Sequence, residues 1–218
     1  MPARIDTISL EGMIPEVFVA EYIPPSDVWL CKTTFLRGEA YLVEAASGAG
    51  KSSLCAYLYG SRSDYEGTLT FNGKDTRRFG IDRWQQLRRT GLAYLPQELS
   101  LFPELTALQN IELKNSLTNE IERGQVEEWL HMLGIDSRKN YPVGRMSVGQ
   151  QQRVGIIRAL CQPFDFILLD EPVSHLDEAN NLRAASIILA EARRREAGII
   201  ATSVGNPILI DHTRTLKL

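Results

Sequence analysis

Short apolar runs alternate with longer stretches of helical periodicity along most of this 218-residue chain. Each run is bounded by turn residues and has the length of a strand buried on both faces. The runs cover residues 40–43, 91–95, 166–169, 198–202 and 213–218. Because helix-like segments separate most of them, the pattern predicts an α/β fold with a parallel sheet and right-handed crossovers.

The first third of the chain contains further short extended segments. Strands are predicted at residues 5–10, 17–20, 28–35 and 67–71. Asn72 and Gly73 supply a tight turn after the last of them. These segments predict a small antiparallel sheet beside the main one.

Between residues 98 and 155 the pattern changes to helical spacing with many charged side chains, which predicts an inserted helical subdomain. Two helices are predicted on Leu105, Leu108, Ile111 and Leu113, and on Val126, Trp129, Leu130 and Leu133. Gly134 stands at the stop position of the second helix. Ser147 is a candidate N-cap for a third helix that runs to about Leu160.

A further long helix is predicted over residues 180–196, and it ends in three consecutive arginines, Arg193 to Arg195. Cations are favoured in the last turn of a helix by the helix dipole. We therefore expect this cluster to be a solvated final turn rather than a binding site.

Composition is that of an ordinary soluble domain, with 44% hydrophobic and 23% charged residues. The net charge of −3 gives no argument for nucleic acid binding, so no nucleic acid partner is expected. Three scattered cysteines, Cys31, Cys55 and Cys161, favour a reducing compartment over a zinc site or disulfides. The sequence has no secretory signal and no apolar run long enough to span a membrane. We expect another chain to hold the protein at any membrane where it works.

Residues 45–53 follow the apolar run at 40–43 and precede a helix-like segment, as a phosphate-binding loop does. They are Ala45, Ala46, Ser47, Gly48, Ala49, Gly50, Lys51, Ser52 and Ser53. Backbone N–H groups would bind phosphates, Lys51 would contact the β- and γ-phosphates, and Ser52 would ligate Mg²⁺. Ala45 replaces the first glycine of the pattern, which costs ~1 kcal/mol if that position needs a positive φ. The alternative is a turn of small residues with an exposed lysine.

Asp170 and Glu171 follow the apolar run at 166–169 directly. In a phosphate-loop fold, an aspartate at this point holds Mg²⁺, and the carboxylate after it accepts a proton from the attacking water. Taken alone, the pair is at least as typical of a strand that ends at a helix N-cap. Together with the loop at 45–53, it indicates nucleotide hydrolysis.

Ser147, Val148, Gly149 and Gln150 stand between the loop and the acidic pair, and here the chain resembles the ABC-type ATPases, whose signature is usually L-S-G-G-Q. The other motifs stand in the family's order. Gln97 matches the Q-loop, Asp170 and Glu171 end Walker B, and Ser174, His175, Leu176 and Asp177 form the D-loop. Tyr22 stands at the adenine-stacking position. The segment from Ser147 to Leu160 looks closest to the lipoprotein-releasing and macrolide-export branch.

The resemblance implies a P-loop NTPase (RecA-like) fold in which residues 1–218 form a single ATPase domain. Residues 1–97 and 156–218 would form the nucleotide-binding core with its N-terminal antiparallel β subdomain, and residues 98–155 the helical signature subdomain. It also implies ATP and Mg²⁺ as ligands. The metal would lie at Ser52, Gln97 and Asp170, and Glu171 would be the catalytic base.

Domains of this family pack head to tail in pairs, so that the signature residues cap the ATP bound by the partner. The second chain would be an identical copy or a related paralogue. The implied function is the ATP-binding subunit of a transporter, which couples ATP-driven dimerisation and hydrolysis to transport through integral membrane permease subunits. The implied location is the cytoplasm, peripherally on the cytoplasmic face of the cell membrane.

Three positions depart from the family pattern: Ala45, Val148 and the site of the switch histidine, which Ser203 or Val204 occupies. His212, on the predicted final strand, is a poor substitute. If the lost group acts like other transition-state contacts, hydrolysis falls ~10²–10³-fold while ATP binding and dimerisation are retained. A nucleotide-gated regulatory or assembly module is therefore an alternative function. A family member acting on DNA or ribosomes is disfavoured, because there is no second cassette and no basic surface excess.

Overall fold

The computed structural model describes residues 4–20 and 24–218. Within them the strands are β1 (Thr7–Pro15), β2 (Lys32–Leu36), β3 (Ala40–Glu44), β4 (Tyr65–Phe71), β5 (Lys74–Asp75), β6 (Leu92–Leu95), β7 (Phe166–Asp170), β8 (Gly198–Ser203) and β9 (Arg214–Lys217). The α-helices are α1 (Lys51–Tyr59), α2 (Ile81–Thr90), α3 (Ala107–Asn115), α4 (Arg123–Met132), α5 (Val148–Leu160) and α6 (Glu178–Arg195).

Five strands form a parallel sheet in the order β6-β7-β8-β3-β9, which confirms the predicted α/β fold with a P-loop NTPase arrangement. All five residues of β7 are buried, as expected for a central strand covered on both faces. Leu54 of α1 shares a buried cluster with Leu168 and Ile200 on one face of the sheet. Helices α5 and α6 cover the other face, where their buried side chains pack with Leu169 and Ala201 of the sheet. The carboxyl ends of β3, β7 and β8 therefore meet at one edge, where ligands bind in such folds.

A second, antiparallel sheet has the order β2-β1-β4-β5, as predicted for the N-terminal part. The predicted strand at 17–20 is wrong, because β1 runs on to Pro15 and a 3₁₀ turn occupies Glu16–Phe18. The strand predicted from residue 28 begins only at Lys32. The turn at Asn72 and Gly73 is confirmed, since both residues have a positive φ, 49° and 72°.

The helical insertion contains α3, α4 and the first part of α5. Thr106 caps α3, so Leu105 precedes the helix, and Leu113 is 45% exposed instead of lying on its buried face. The second helix is confirmed, with Gly134 at φ 63° after its end. Helix α5 passes residue 155 without a break, so the predicted subdomain boundary lies inside a helix. Across residues 4–20 and 24–218, no helix combines the length and the apolar composition that crossing a bilayer requires.

The arginines at the end of α6 are less exposed than the sequence predicts. The side chain of Arg195 is 7% exposed, stacks over Phe164 and donates a 2.8 Å hydrogen bond to Glu120 in the helical insertion. Arg194 pairs with Glu191 at 2.8 Å. The prediction of a solvated turn is therefore wrong for Arg195, which links α6 to the insertion.

Candidate nucleotide-binding site

The loop between β3 and α1 has the backbone that a phosphate-binding loop requires. Gly48 and Gly50 adopt positive φ angles of 84° and 94°, whereas Ala45 is not in the left-handed region. Glycine is thus needed at positions 48 and 50 but not at 45, where alanine causes no backbone strain. Gly50 is the N-cap of α1 and supplies no side-chain hydrogen bond to the helix, so the first N–H groups of α1 are left for a ligand.

Lys51 is buried at the mouth of this loop, with 5% of its side chain exposed. Its Nζ donates to the carbonyl oxygens of Ala46 and Ala45, at 2.8 and 3.3 Å. The carboxylate Oε1 of Glu171 is 3.8 Å away. The alternative of an exposed lysine in an ordinary turn is therefore wrong.

Two aromatic rings that sequence reasoning missed support the loop from the N-terminal segment. The indole Nε1 of Trp29 donates to the carbonyl of Ala49 at 3.1 Å. A Cβ on Gly50 would lie 3.1 Å from the rings of both Phe18 and Trp29, so a larger residue would displace the loop. No local motif marks these aromatics, because both occur in segments predicted as strands. Tyr22 lies outside the described residues.

Ser52, in the first turn of α1, faces the glutamine predicted at the Q-loop. Its hydroxyl lies 3.5 Å from Oε1 of Gln97, which follows β6. The hydroxyl of Ser53 instead accepts a hydrogen bond from Arg62 at 3.0 Å, which turns its oxygen toward Arg62, while its backbone N–H is among the first N–H groups of α1. The hydroxyl of Ser52, the amide oxygen of Gln97 and the carboxylate of Asp170 at the end of β7 are the hard oxygen donors that Mg²⁺ prefers.

Asp170 ends β7, with 2% of its surface exposed. The hydroxyl of Thr202 on β8 donates to Oδ1 of Asp170 at 2.8 Å and accepts from the backbone N–H of Glu171 at 3.1 Å. Burial raises the pKa of the Cys55 thiol in α1, and the charge of Asp170 is the second cause, which places this carboxylate close to the helix. Sequence reasoning missed Thr202, although it adjoins the predicted switch position.

Ser203 does not join these groups. Neighbouring residues of a strand point to opposite faces, and Thr202 shares the face of Asp170. The side chain of Ser203 is 1% exposed, and its hydroxyl has no hydrogen-bond partner within the described residues. His212 lies before β9, not on the final strand as predicted, and its Nε2 is 3.3 Å from the carbonyl of Ile208. Val204 is 45% exposed at the end of β8.

The signature residues form the N-terminus of α5. The Ser147 hydroxyl accepts from Gln150 N at 3.3 Å, and Gln150 Oε1 accepts from Ser147 N at 3.1 Å, which is a capping box. Val148 is 52% exposed, consistent with a variable position. A Cβ on Gly149 would lie 2.8 Å from the carbonyl of His175, so only glycine fits beside the D-loop.

The D-loop connects this helix to the acidic pair. Gln152, one turn into α5, donates to the carbonyl of Glu171 at 3.0 Å and to Ser174 Oγ at 3.3 Å, and it accepts from His175 N at 3.0 Å. Leu176 is buried. Asp177 caps α6 by accepting from Asn180 N at 2.8 Å. Signature and D-loop thus form one unit, and within the described residues this unit makes no hydrogen bond to the loop at 45–50.

Comparisons with known proteins identify the family of the chain. A family model described as ABC transporter matches residues 31–174. The macrolide export ATP-binding/permease protein MacB 1 of Aeromonas hydrophila is 33% identical over 78% of the chain. The ABC transporter ATP-binding protein YtrE of Bacillus subtilis is 33% identical over 75% of the chain and 71% of its own length.

A solved dimeric structure of a bacterial ABC transporter cassette is 25% identical, has a TM-score of 0.74 and aligns over 89% of this chain and 87% of its own. The chain spans about a quarter of the length of the macrolide-export relatives that it matches. Those relatives agree with the branch suggested by residues Ser147 to Leu160. The protein is therefore a member of the ABC transporter family and one of its ATP-binding components.

Proposed function

We propose that the protein couples ATP-driven dimerisation and ATP hydrolysis to transport through separate membrane subunits. The observation that carries this proposal is the convergence of Lys51, Ser52, Gln97 and Glu171 at the uncapped N-terminus of α1. A helix end with unsatisfied N–H groups and a buried lysine is suited to bind an anion with several charges. Membership of the family supports ATP as that anion.

In the proposed reaction, Lys51 exchanges its two loop carbonyls for the β- and γ-phosphates. Ser52, Gln97 and Asp170 would hold Mg²⁺, which would neutralise charge on the phosphates. Glu171 would accept a proton from the water that attacks the γ-phosphorus. Its carboxylate is 3.8 Å from Lys51 Nζ and therefore lies at the phosphate end of the loop.

The exposed N-terminus of α5 supports a second chain as the direct partner. Ser147 and the N–H groups at Gly149 and Gln150 would cap the γ-phosphate bound by that chain. ATP then joins two surfaces only while its γ-phosphate is intact, so hydrolysis lowers the affinity of the pair. The partner is an identical chain or a paralogue, and the dimeric state of a cassette with the same fold agrees with this arrangement.

A cationic groove between the core and the insertion is the proposed docking site for the membrane subunit. It has a volume of about 530 Å³ and is lined by Tyr59, Arg88, Arg89, Lys114 and Leu117, among others. Burial lowers the pKa of Lys114, and the charge of Arg158 behind it is the next cause.

No carboxylate among the described residues forms an ion pair with Arg88, Arg89 or Lys114, although the whole chain has a net charge of −3. The groove is therefore complementary to an acidic, partly apolar cytoplasmic segment of the membrane subunit. The charge reversals R88E and K114E together are expected to abolish co-purification with that subunit at unchanged hydrolysis by the isolated chain. The charge reversals K74E and R78E, in the antiparallel sheet region, are the matched control. Retained co-purification would rule the groove out.

Hydrolysis is expected to be slow, because the residue at the switch position cannot act on the γ-phosphate. Ser203 is enclosed on the face opposite to Asp170 and carries no imidazole. Loss of one transition-state contact lowers turnover ~10²–10³-fold. The regulatory alternative finds no support among the relatives, and it is not proposed.

The test measures dimerisation and steady-state hydrolysis of the purified chain with ATP and Mg²⁺. We expect an ATP-dependent dimer, slow turnover, and a trapped ATP-bound dimer in the Glu171→Gln variant, with Glu66→Gln as the exposed-carboxylate control. An E171Q variant that hydrolyses ATP at the wild-type rate would show that Glu171 is not the base. Turnover equal to that of family members with the switch histidine would show that its loss has no effect.

A further inference from the structure

The backbone of Glu171 has an unusual conformation. Its φ is 50°, in the left-handed region that residues with a side chain rarely occupy. Such a conformation persists only where the surrounding structure holds it, and it is common at functional sites. The direction of the Glu171 carboxylate therefore depends on whatever fixes the peptide groups on either side of its Cα.

Thr202 holds the N–H side. Its hydroxyl has one proton, which it donates to Oδ1 of Asp170 at 2.8 Å, so a lone pair is left for the N–H of Glu171 at 3.1 Å. Thr202 is 1% exposed and pairs with Asp170 across β7 and β8, so water does not compete for either bond. One hydroxyl thus fixes the metal-binding carboxylate and the next peptide relative to each other.

Gln152 holds the C=O side. Its Nε2 donates to the carbonyl of Glu171 at 3.0 Å and to Ser174 Oγ at 3.3 Å, while Oε1 accepts from His175 N at 3.0 Å. Gln152 is 3% exposed and stands on α5, the helix that begins with the signature residues. The neutral amide thus provides two N–H donors and one acceptor oxygen at this place without introducing a charge.

We propose that Thr202 and Gln152 are the positioning residues of the catalytic base, and that Gln152 makes the direction of Glu171 depend on the position of α5. This inference rests on the proposed function of Glu171. In the reaction, the water oxygen bonds to the γ-phosphorus and its proton passes to Glu171. The bond from the γ-phosphorus to the bridging oxygen breaks, and its electron pair leaves with ADP. Thr202 and Gln152 exchange no proton.

The variants Thr202→Val and Gln152→Met remove the hydrogen bonds at nearly constant volume. We expect kcat to fall ~10–100-fold, because a small misplacement of a catalytic group has an effect of that size, while KM for ATP changes less than about twofold. Thr202→Ser keeps the hydroxyl and is expected to retain kcat within about threefold.

Matched controls exist for both substitutions. Thr76 is 3% exposed with its hydroxyl bonded to Tyr65, and Gln162 is 2% exposed with its amide on the carbonyls of Arg88 and Leu92. The variants T76V and Q162M remove comparable buried bonds away from Glu171, and they are expected to lower the thermal midpoint without lowering kcat. An equal fall of kcat in the controls would make the effect a general loss of stability and overturn the inference.

Combining T202V or Q152M with E171Q distinguishes a role in positioning Glu171 from a role in binding ATP. In the E171Q background, Q152M is expected to leave the ATP-trapped dimer intact and the residual hydrolysis unchanged, because the carboxylate that Gln152 positions is already absent, whereas T202V also removes the hydrogen bond to Asp170. If T202V and Q152M hydrolyse ATP at the wild-type rate while E171Q does not, this inference fails and the proposed function stands. If E171Q itself hydrolyses normally, the proposed role of Glu171 fails first.

Discussion

The N-termini of α1 and α5, both proposed to bind phosphate, differ in capping: a side chain caps α5, and none caps α1. Helix α1 begins at Gly50, which has no side chain to cap it, and Lys51 lies buried against the loop. Helix α5 begins at Ser147, whose hydroxyl and N–H are both satisfied by Gln150 in a capping box. At α1 no side chain caps the first N–H groups, whereas at α5 the N–H of Gln150 is already bonded to Ser147.

The difference indicates an order of events. An anion at α1 gains hydrogen bonds that the protein lacks without it, so we expect this end to bind ATP without a second chain. An anion at α5 that binds the N–H of Gln150 must replace its bond to Ser147, so the net gain there is smaller. That end is expected to engage only a phosphate already held by another chain, which makes dimerisation conditional on ATP.

The largest effect is expected at the uncapped N-terminus of α1. Lys51→Met removes a buried charge that would contact the β- and γ-phosphates, and charged hydrogen bonds of this kind contribute about 1.5–3 kcal/mol each. We expect the affinity for ATP to fall at least ~10²-fold in equilibrium filter binding. Lys74→Met, at an exposed lysine of β5, is the control. Unchanged affinity in the Lys51 variant would mean that α1 is not the phosphate end.

The next largest effect is expected at Gly149, where the N-terminus of α5 contacts the D-loop. Gly149→Ala places a methyl group 2.8 Å from the carbonyl of His175, and relieving such a clash costs about 1–3 kcal/mol. We expect the ATP-dependent dimer to dissociate ~10–100-fold more readily in light scattering, with ATP binding by the monomer unchanged. Val148→Ala, at the exposed neighbour, should dimerise normally. If Gly149→Ala dimerises normally, the signature residues are not part of the dimer interface.

Ser147→Ala has a smaller effect with two parts. Loss of the N-cap lowers the free energy of unfolding by about 1 kcal/mol, which thermal unfolding measures. Loss of the hydroxyl also removes one contact with the partner's phosphate, so the dimer should weaken ~5–10-fold. Ser147→Thr keeps both properties. A less stable protein with an unchanged dimer would show that Ser147 is only a cap.

The smallest effect is expected at Ala45. Because its φ is not in the left-handed region, Ala45→Gly brings no relief of strain, and the affinity for ATP should stay within about twofold. The added freedom of the unfolded chain should lower stability by about 0.4–1 kcal/mol. An increase in affinity of tenfold would instead identify Ala45 as a defect in the loop.

Local chemistry explains what could be predicted. The strand, the glycine-rich turn and the Lys51-Ser52 pair follow one another in sequence, so their geometry depends little on distant residues. The same holds for the N-cap at Ser147 and the end of the fourth helix at Gly134. The apolar run before Asp170 likewise predicts a buried central strand, which the structure contains.

The features that could not be predicted depend on contacts between segments that are distant in the sequence. All six residues of β8 are buried, so the run has no polar alternation to tell which face Thr202 or Ser203 occupies. Register with β7 decides this, and register is a property of the folded sheet. Arg195 is withdrawn from solvent by Glu120, 75 residues earlier in the chain. Phe18 and Trp29 reach Gly50 only because the N-terminal sheet packs beside the loop.

The bond from Trp29 to the carbonyl of Ala49 gives the loop an optical reporter. Trp29 is 3% exposed, and its indole bonds to the loop whose carbonyls would lose the ammonium group of Lys51 when that group contacts phosphates instead. The other two tryptophans, Trp84 and Trp129, belong to α2 and α4. Intrinsic tryptophan emission of the unlabelled protein is therefore expected to change when the loop is occupied, and Trp29→Phe, which keeps Trp84 and Trp129, should lose that change.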